Sequence, residues 1–401
     1  MSRTVVIAVL VCVLGTLGNA PAVGKEPPYT TGFTKWRAVD GGFTDWQRDG
    51  VALAADGTLS RDPATADPGT DPYPPGTYNG RNYYNGGSFF VGEATSPIID
   101  VSSFTEAIAS WNAATPAGTW VETQIRSDVG DRWTKWYILG VWAADTGTVE
   151  RHSVQAQGDA DGFIAVDTLV LAKKVTAASL QLKLRLFSEA GAVPSVRAAS
   201  VATSTTPGRP SELTPGDPAL WDNVLAVPEC SQMVYPDGGE VWCSPTSTSM
   251  VLAYWQNAAG PCEPRVRAVV EGVFDWVYDG HGNWPFNTAY AAAQGLEGYV
   301  ARFRSMAQLE PWIAAGVPVV ISYAWKKSEL TGAPIPSSNG HLAVVAGFDA
   351  AGNPVMNDPA ASSDDTVQRT YLRSELESLW LKTSGGTAYL MFLPGHAVPP
   401  L

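Results

Sequence analysis

The 401-residue sequence predicts a multidomain protein, with an N-terminal all-β sandwich of jelly-roll-like form followed by a C-terminal α+β domain. Three observations predict it. From Tyr29 to Ser200, short runs rich in β-branched and aromatic residues recur between turn signals. A Thr-, Pro-, Ser- and Gly-rich stretch without apolar periodicity then interrupts the chain around Thr203 to Asp217. Beyond it, helical periodicity gives way to a helix, a strongly β run and a hairpin, the order of an α+β domain. The resulting division is a leader at 1–22, a β domain at 29–200, a linker at 201–226 and a second domain at 227–397.

Composition agrees with this division. Hydrophobic residues make up 45% and charged residues only 16%, with 39 Gly and 30 Pro. That mix favours short strands and many turns. The formal net charge of −13 argues against nucleic acid as a partner, because little cationic surface is left to neutralise phosphates. At the N-terminus, Arg3 precedes an apolar run from Val5 to Leu17, and Ala20-Pro21-Ala22 offers an A-x-A cleavage site. The run is shorter than the ~20 residues of a spanning helix. Cys12 lies within it rather than after it, which weighs against a lipid anchor. A secreted mature chain without a membrane span is the expectation.

In the β domain, strands are predicted at Trp120 to Ile125, Trp136 to Trp142, Phe163 to Val166, Thr168 to Leu171 and Leu180 to Leu186. The last alternates strictly, as a half-buried strand does. A Gly-Phe-Thr-x-Trp echo at Gly32 and Gly42 is too short to be a repeat architecture. Residues 62–87, dense in Pro, Gly, Asp and Tyr, read as a long irregular loop. Trp36, Trp46, Trp111 and Trp120 raise a glycan or cell-surface ligand for this domain, although aromatics at strand positions are more often core.

Four cysteines occur. Removal of the leader takes Cys12 and leaves Cys230, Cys243 and Cys262. An odd number in an oxidising compartment implies one bridge and one free thiol, with three pairings open.

Two stretches of the second domain carry chemistry. In the first, Trp242-Cys243-Ser244-Pro245-Thr246 opens a helix. Pro245 fits its first turn, and Ser247, Met250, Val251 and Tyr254 form a buried stripe at helical spacing. Cys243 therefore stands at a helix N-terminus, where the dipole favours negative charge on sulfur. In the second, Asn339-Gly340-His341 begins a strand that turns over Asp349 to Asn353 and returns through Asn357-Asp358-Pro359. A turn centred between Ala350 and Ala351 puts Asp358 opposite Ala343, with His341 its diagonal neighbour on the same face. That is where an acceptor can orient an imidazole.

Together these stretches resemble the papain-like cysteine peptidases of the C39-like family, which includes the peptidases that process double-glycine bacteriocin leaders. The matching residues are Cys243-Ser244-Pro245-Thr246, Gly340-His341 with Gly347-Phe348-Asp349, and Asn357-Asp358-Pro359. The resemblance covers the second domain only. It implies a papain-like cysteine peptidase fold, no cofactor, and a peptide or protein substrate. It makes Cys243 the nucleophile, His341 the base and Asp358 the orienting carboxylate. Gln232, in Val227-Pro228-Glu229-Cys230-Ser231-Gln232, becomes the oxyanion-hole amide. It also leaves Cys243 free and so pairs Cys230 with Cys262. Two departures stand out: Ser244 replaces the usual Gly, and the Met233 to Val241 loop is longer than usual. Glu240 in that loop need have no catalytic part.

The same residues would serve an amidase acting on cell-wall peptides, and an inert peptidase-like binding protein is the third reading. His281, in Asp279-Gly280-His281-Gly282-Asn283-Trp284, reads first as a solvated turn histidine and second as part of a cleft wall; His152 and His396 lack an obvious partner. Trp284 and Trp325 are either cleft walls or core. No zinc-ligand spacing and no Gly-Lys-Ser/Thr phosphate loop is present, which separates the chain from the transporter-linked form of the family.

Overall fold

A computed structural model describes residues 29–65, 67–69, 89–189, 191–205 and 215–401. The predicted leader at 1–22, with Cys12, lies outside them, as do residues 70–87 of the predicted long loop.

The first half holds β1 (Thr31–Arg37), β2 (Gln47–Asp49), β3 (Val51–Leu53), β4 (Leu59–Arg61), β5 (Asp67–Gly69), β6 (Phe89–Thr95) and β7 (Ile99–Phe104). It continues with β8 (Glu106–Ala114), β9 (Thr119–Asp128), β10 (Tyr137–Trp142), β11 (Gly162–Ala165), β12 (Thr168–Leu171), β13 (Ala177–Ser188) and β14 (Ser195–Ser204). These strands make two sheets. One runs β11-β12-β8-β14-β4-β3 with β1 on β14; the other runs β10-β9-β13-β6-β2 with β5 on β6 and β7 on β13. The alternation of β13 is realised in full. Leu180, Leu182, Leu184 and Leu186 are buried in the core between the sheets. On the opposite face Gln181 accepts from Arg126, and Lys183 and Arg185 pair with Glu93.

Trp46, Trp111 and Trp120 are buried, and Trp36 packs edge-on against Trp46. The three buried rings are core, and Trp36 is partly buried against them.

The second half holds β15 (Asn223–Val224), α1 (Cys243–Gln256), α2 (Cys262–Val273), α3 (Trp284–Ala293), β16 (Glu297–Arg302), α4 (Met306–Ala314), β17 (Val319–Trp325), β18 (Ser338–Phe348), β19 (Pro354–Asn357), β20 (Gln368–Thr370), α5 (Arg373–Ser384) and β21 (Thr387–Phe392). Its antiparallel sheet runs β16-β21-β17-β18-β19-β20, with β15 on β18. Both ends of the predicted linker belong to sheets, since β14 continues to Ser204 and β15 starts at Asn223. The run of helices α1 to α3 ends at Ala293. Gly295 takes a left-handed φ of 97°, and β16 follows as an edge strand on β21. Gly298 permits this course: a Cβ there would lie 2.4 Å from the carbonyl oxygen of Thr288.

The two halves are tightly joined. Phe286 and Ala289 of α3 belong to the core of the first half, where Phe286 meets Trp111 and Trp142. Asn112 exchanges two hydrogen bonds with the backbone of Gly298, and Ser110 accepts from Val300. Among the described residues, no helix is long and apolar enough to cross a membrane.

Candidate active site

A short turn at Gly239–Val241 delivers the chain to Trp242, and α1 begins at Cys243. The N–H groups of the first helical turn have no intrahelical acceptor, and Pro245 takes a place where it forfeits none. The predicted single stripe is too modest. Residues 244–253 of α1 are buried all round, because the helix lies against β18 with α2 and α3 beside it. Most hydroxyls of this buried helix are satisfied internally, that of Thr246 being the exception. Ser247 donates to the carbonyl of Leu342, Thr248 donates to Asn287, Ser249 donates to the carbonyl of Thr246, and Ser244 pairs with the Tyr389 hydroxyl at 2.9 Å. The Ser247 bond ties the thiol-bearing helix to the residue next to His341.

His341 stands on β18, and β19 returns beside it. Val344 faces Asn357 and Val345 faces Met356, with a bulge before Gly347. That register, carried one residue further, sets Asp358 level with Ala343. His341 Nε2 lies 2.8 Å from Asp358 Oδ1. With Nε2 occupied, Nδ1 is the ring nitrogen left for Cys243, whose sulfur lies near enough to help raise the pKa of the ring. Burial alone would lower the imidazole pKa. The Asp358 carboxylate and its hydrogen bond, together with the sulfur, override burial and push it up to about 10. Burial likewise opposes the Asp358 charge, but His341, the Tyr371 hydroxyl and the Ala360 N–H hold its carboxyl below the ordinary range.

Two tyrosines were not legible as part of this group. Tyr371 donates to Asp358 Oδ2 at 2.6 Å and Tyr323 at 3.3 Å. Burial and the neighbouring carboxylate raise both phenol pKa values, so both hydroxyls remain donors. Tyr323 is the cross-strand partner of His341, and it becomes visible only once β17 is aligned on β18. Trp325 is core, and its ring stands edge-on to the imidazole at 5.4 Å.

Gln232 is buried. Its side-chain N–H donates to the Gly239 carbonyl at 2.8 Å, and its backbone N–H donates to the Pro359 carbonyl. One amide hydrogen remains for another acceptor. Cys243, His341, Gln232, Ser244 and Tyr323 all line one cavity of about 930 Å³. A partly exposed thiol, an oriented imidazolium and side-chain donors around one cavity are the requirements of acyl transfer through sulfur.

Two family models match the chain. The Peptidase C39 N-terminal domain covers residues 32–204, and the Peptidase_C39 like family covers residues 224–388. The chain belongs to the C39-like peptidase family. Among solved structures, it is similar to one from Bacillus anthracis described as a C39-like peptidase. The two share 19% identity over 42% of this chain and 97% of that one, with a TM-score of 0.30. It is also similar to TmCBM61 in complex with beta-1,4-galactotriose, at 12% identity over 41% and 92% of the two chains and a TM-score of 0.22. No curated protein matches it.

In this C39-like chain, Cys230 is bridged to Cys262 and Cys243 is free. The bridge closes a loop over a sequence separation of 32 residues, and Cys243 lies inside it. Cys262→Ala is expected to lower unfolding free energy by about 3–4 kcal/mol through the lost loop constraint. Urea melts measure this, and titratable thiols should rise from one to two.

His281 corrects the expectation of a solvated histidine. It is half-buried on the cavity wall between Trp242 and Phe274, and its Nδ1 is buried without a hydrogen-bond partner. Burial drops its pKa to about 4, so it is neutral at pH 7. Trp284 and Glu240 also line the cavity. His152 is buried with Nδ1 on the Glu150 carbonyl, and His396 Nε2 meets the Ala315 carbonyl; both have the partners that sequence reading missed. Among the described residues, no group of three or more His, Cys, Asp or Glu side chains is placed to hold a metal.

Proposed function

We propose that this C39-like chain is a secreted cysteine peptidase, a papain-like α+β domain behind a jelly-roll-like β-sandwich, that cleaves peptide bonds through a thioester on Cys243. The observation that carries the reading is the free Cys243 thiol at the start of a buried helix, beside an imidazole whose other nitrogen is bound to Asp358.

The thiolate of Cys243 attacks the scissile carbonyl carbon, and the carbonyl oxygen takes up the charge. The Cys243 backbone N–H and the remaining amide hydrogen of Gln232 receive that oxyanion. As the intermediate collapses, the C–N bond breaks and the His341 imidazolium gives its proton to the leaving amine. Neutral His341 then takes a proton from water, whose oxygen attacks the thioester and releases the acid and the thiolate. Asp358 keeps the ring oriented and stabilises its protonated form throughout. The leader-like residues 1–22 and the Cys230–Cys262 bridge support export to an oxidising compartment.

Iodoacetamide at neutral pH is expected to label Cys243 stoichiometrically and to stop hydrolysis of a fluorogenic peptide library in parallel. Peptide mapping of the labelled chain checks this. Hydrolysis that survives full labelling would end the thioester reading. Gln232→Ala is expected to lower kcat about 10²- to 10³-fold, the usual loss for one oxyanion donor, with little change in KM; initial rates on the best library peptide measure it.

A further inference from the structure

The cavity around Cys243 is not built by the peptidase domain alone. Glu106, Val166, Asp167 and Thr168, all from the N-terminal domain, line it. Val166 and Asp167 form the two-residue tip of the β11–β12 hairpin, in which Ala165 pairs with Thr168. Val166 has a φ of 58°, a left-handed conformation that a β-branched side chain rarely adopts and that needs support from its surroundings.

That support crosses the domain boundary. Asp167 is buried; its Oδ2 accepts from the Trp284 N–H at 2.7 Å, and its Oδ1 accepts from the Thr168 hydroxyl at 2.9 Å. Trp284 is the first residue of α3, so a carboxylate of one domain caps a helix of the other. Just upstream lies the 275–283 loop, which puts Tyr278, Asp279 and His281 on the cavity wall. Its other end is also held by the N-terminal domain. Asp275 Oδ1 accepts from the Ser153 N–H at 2.9 Å and from the Ser153 hydroxyl at 3.2 Å, while Trp276 N–H donates to the Arg151 carbonyl. Arg151 in turn donates to the Glu271 carbonyl at 2.7 Å.

We propose that the N-terminal domain is a working wall of the substrate cleft and not a detachable module: the hairpin tip selects which polypeptide side chains fit beside Cys243, and Asp167 is a positioning residue that clamps the 275–283 loop. The selection half of this rests on the peptidase reading above; the clamp half does not. A loop held at both ends by another domain loses its shape when one end is released, and the cleft then binds substrate less well without any change in the reacting groups.

The test uses the full chain and three variants, Asp167→Ala, Asp167→Asn and Val166→Gly. Asn keeps an oxygen for the Trp284 N–H, and Gly relieves the left-handed tip while deleting its side chain. Asp167→Ala should raise KM about tenfold with kcat nearly unchanged. It should also speed hydrogen exchange at amides 276–284 and leave the rate of Cys243 alkylation by iodoacetamide as in the parent. Asp167→Asn should restore KM and exchange, and Val166→Gly should reorder the peptide library by preferred residue. Unchanged KM and exchange in Asp167→Ala, or an equal loss in the Ala and Asn variants, overturns the clamp. An unchanged library order in Val166→Gly overturns the selecting wall. If the parent neither hydrolyses peptides nor reacts with iodoacetamide, the peptidase reading fails and the clamp stands or falls on hydrogen exchange alone.

Discussion

Cys243→Ala is expected to lower kcat/KM by about 10⁴- to 10⁶-fold while leaving the fold intact. The scale follows from the role proposed for the sulfur: without it no thioester forms, and the oxyanion donors and binding groups supply only residual acceleration. The fold should survive because Cys243 is only half-buried and opens a helix, where alanine is well accommodated. His341 keeps Asp358, and the Cys230–Cys262 bridge is untouched. Initial rates, iodoacetamide labelling and a urea midpoint taken on one preparation check the three parts together. A variant that folds, resists labelling and still hydrolyses peptides at the parental rate would remove Cys243 from the mechanism.

Asp358→Asn is expected to cost about 10⁴-fold in kcat, the scale seen when the carboxylate of a triad becomes an amide. Asp358 Oδ1 receives His341 and the Ala360 N–H, and Oδ2 receives the Tyr371 and Tyr323 hydroxyls. An amide has one acceptor oxygen and would set its own N–H groups against donors. It also removes the negative charge that, together with its hydrogen bond and the nearby sulfur, overrides burial in raising the His341 pKa. The alkaline limb of the activity profile, where the imidazolium is lost, should therefore move to lower pH in the variant. An alkaline limb that stays where it is in the parent would show that Asp358 does not set the His341 proton.

The same pair governs stability against pH. The folded His341 pKa of about 10 lies above the unfolded value of about 6.5. Its contribution is thus complete below about pH 6.5 and fades as pH rises toward about 10. Asp358 is shifted the other way; its contribution is complete above about pH 4 and is lost as pH falls further. Asp358→Asn should flatten both slopes and, by stranding one member of a buried pair, cost about 3–5 kcal/mol near neutrality. Urea melts at acidic, neutral and alkaline pH measure both effects.

The layout of the candidate site was legible where it was local. A proline in the first helical turn marks the start of α1, and Cys243 precedes it by two residues. A turn over Asp349 to Asn353 pairs Phe348 with Pro354. The bulge before Gly347, which no local signal announced, shifts the register so that Val344 meets Asn357 and carries His341 and Asp358 toward each other. The alternation of Leu180 to Leu186 likewise needed no partner strand to be recognised. Tyr323 and Tyr371 were not legible, because nothing near either residue says which face of the sheet holds Asp358. His281 was misjudged for the same reason: glycines and an aspartate on either side describe a turn, and they do not say what packs over it.

Thus the amino-acid sequence determined by itself the residue types of the site, their order, and the helix and hairpin that present them. These follow from backbone preference and short-range periodicity, which act over a few residues. Only the tertiary structure decided that α1 is buried all round, that two phenols share the Asp358 carboxylate, and that the N-terminal domain contributes Val166 and Asp167 to the cavity wall. Those features are contacts between elements far apart along the chain. They depend on how sheets and helices stack to exclude water, which no local pattern encodes.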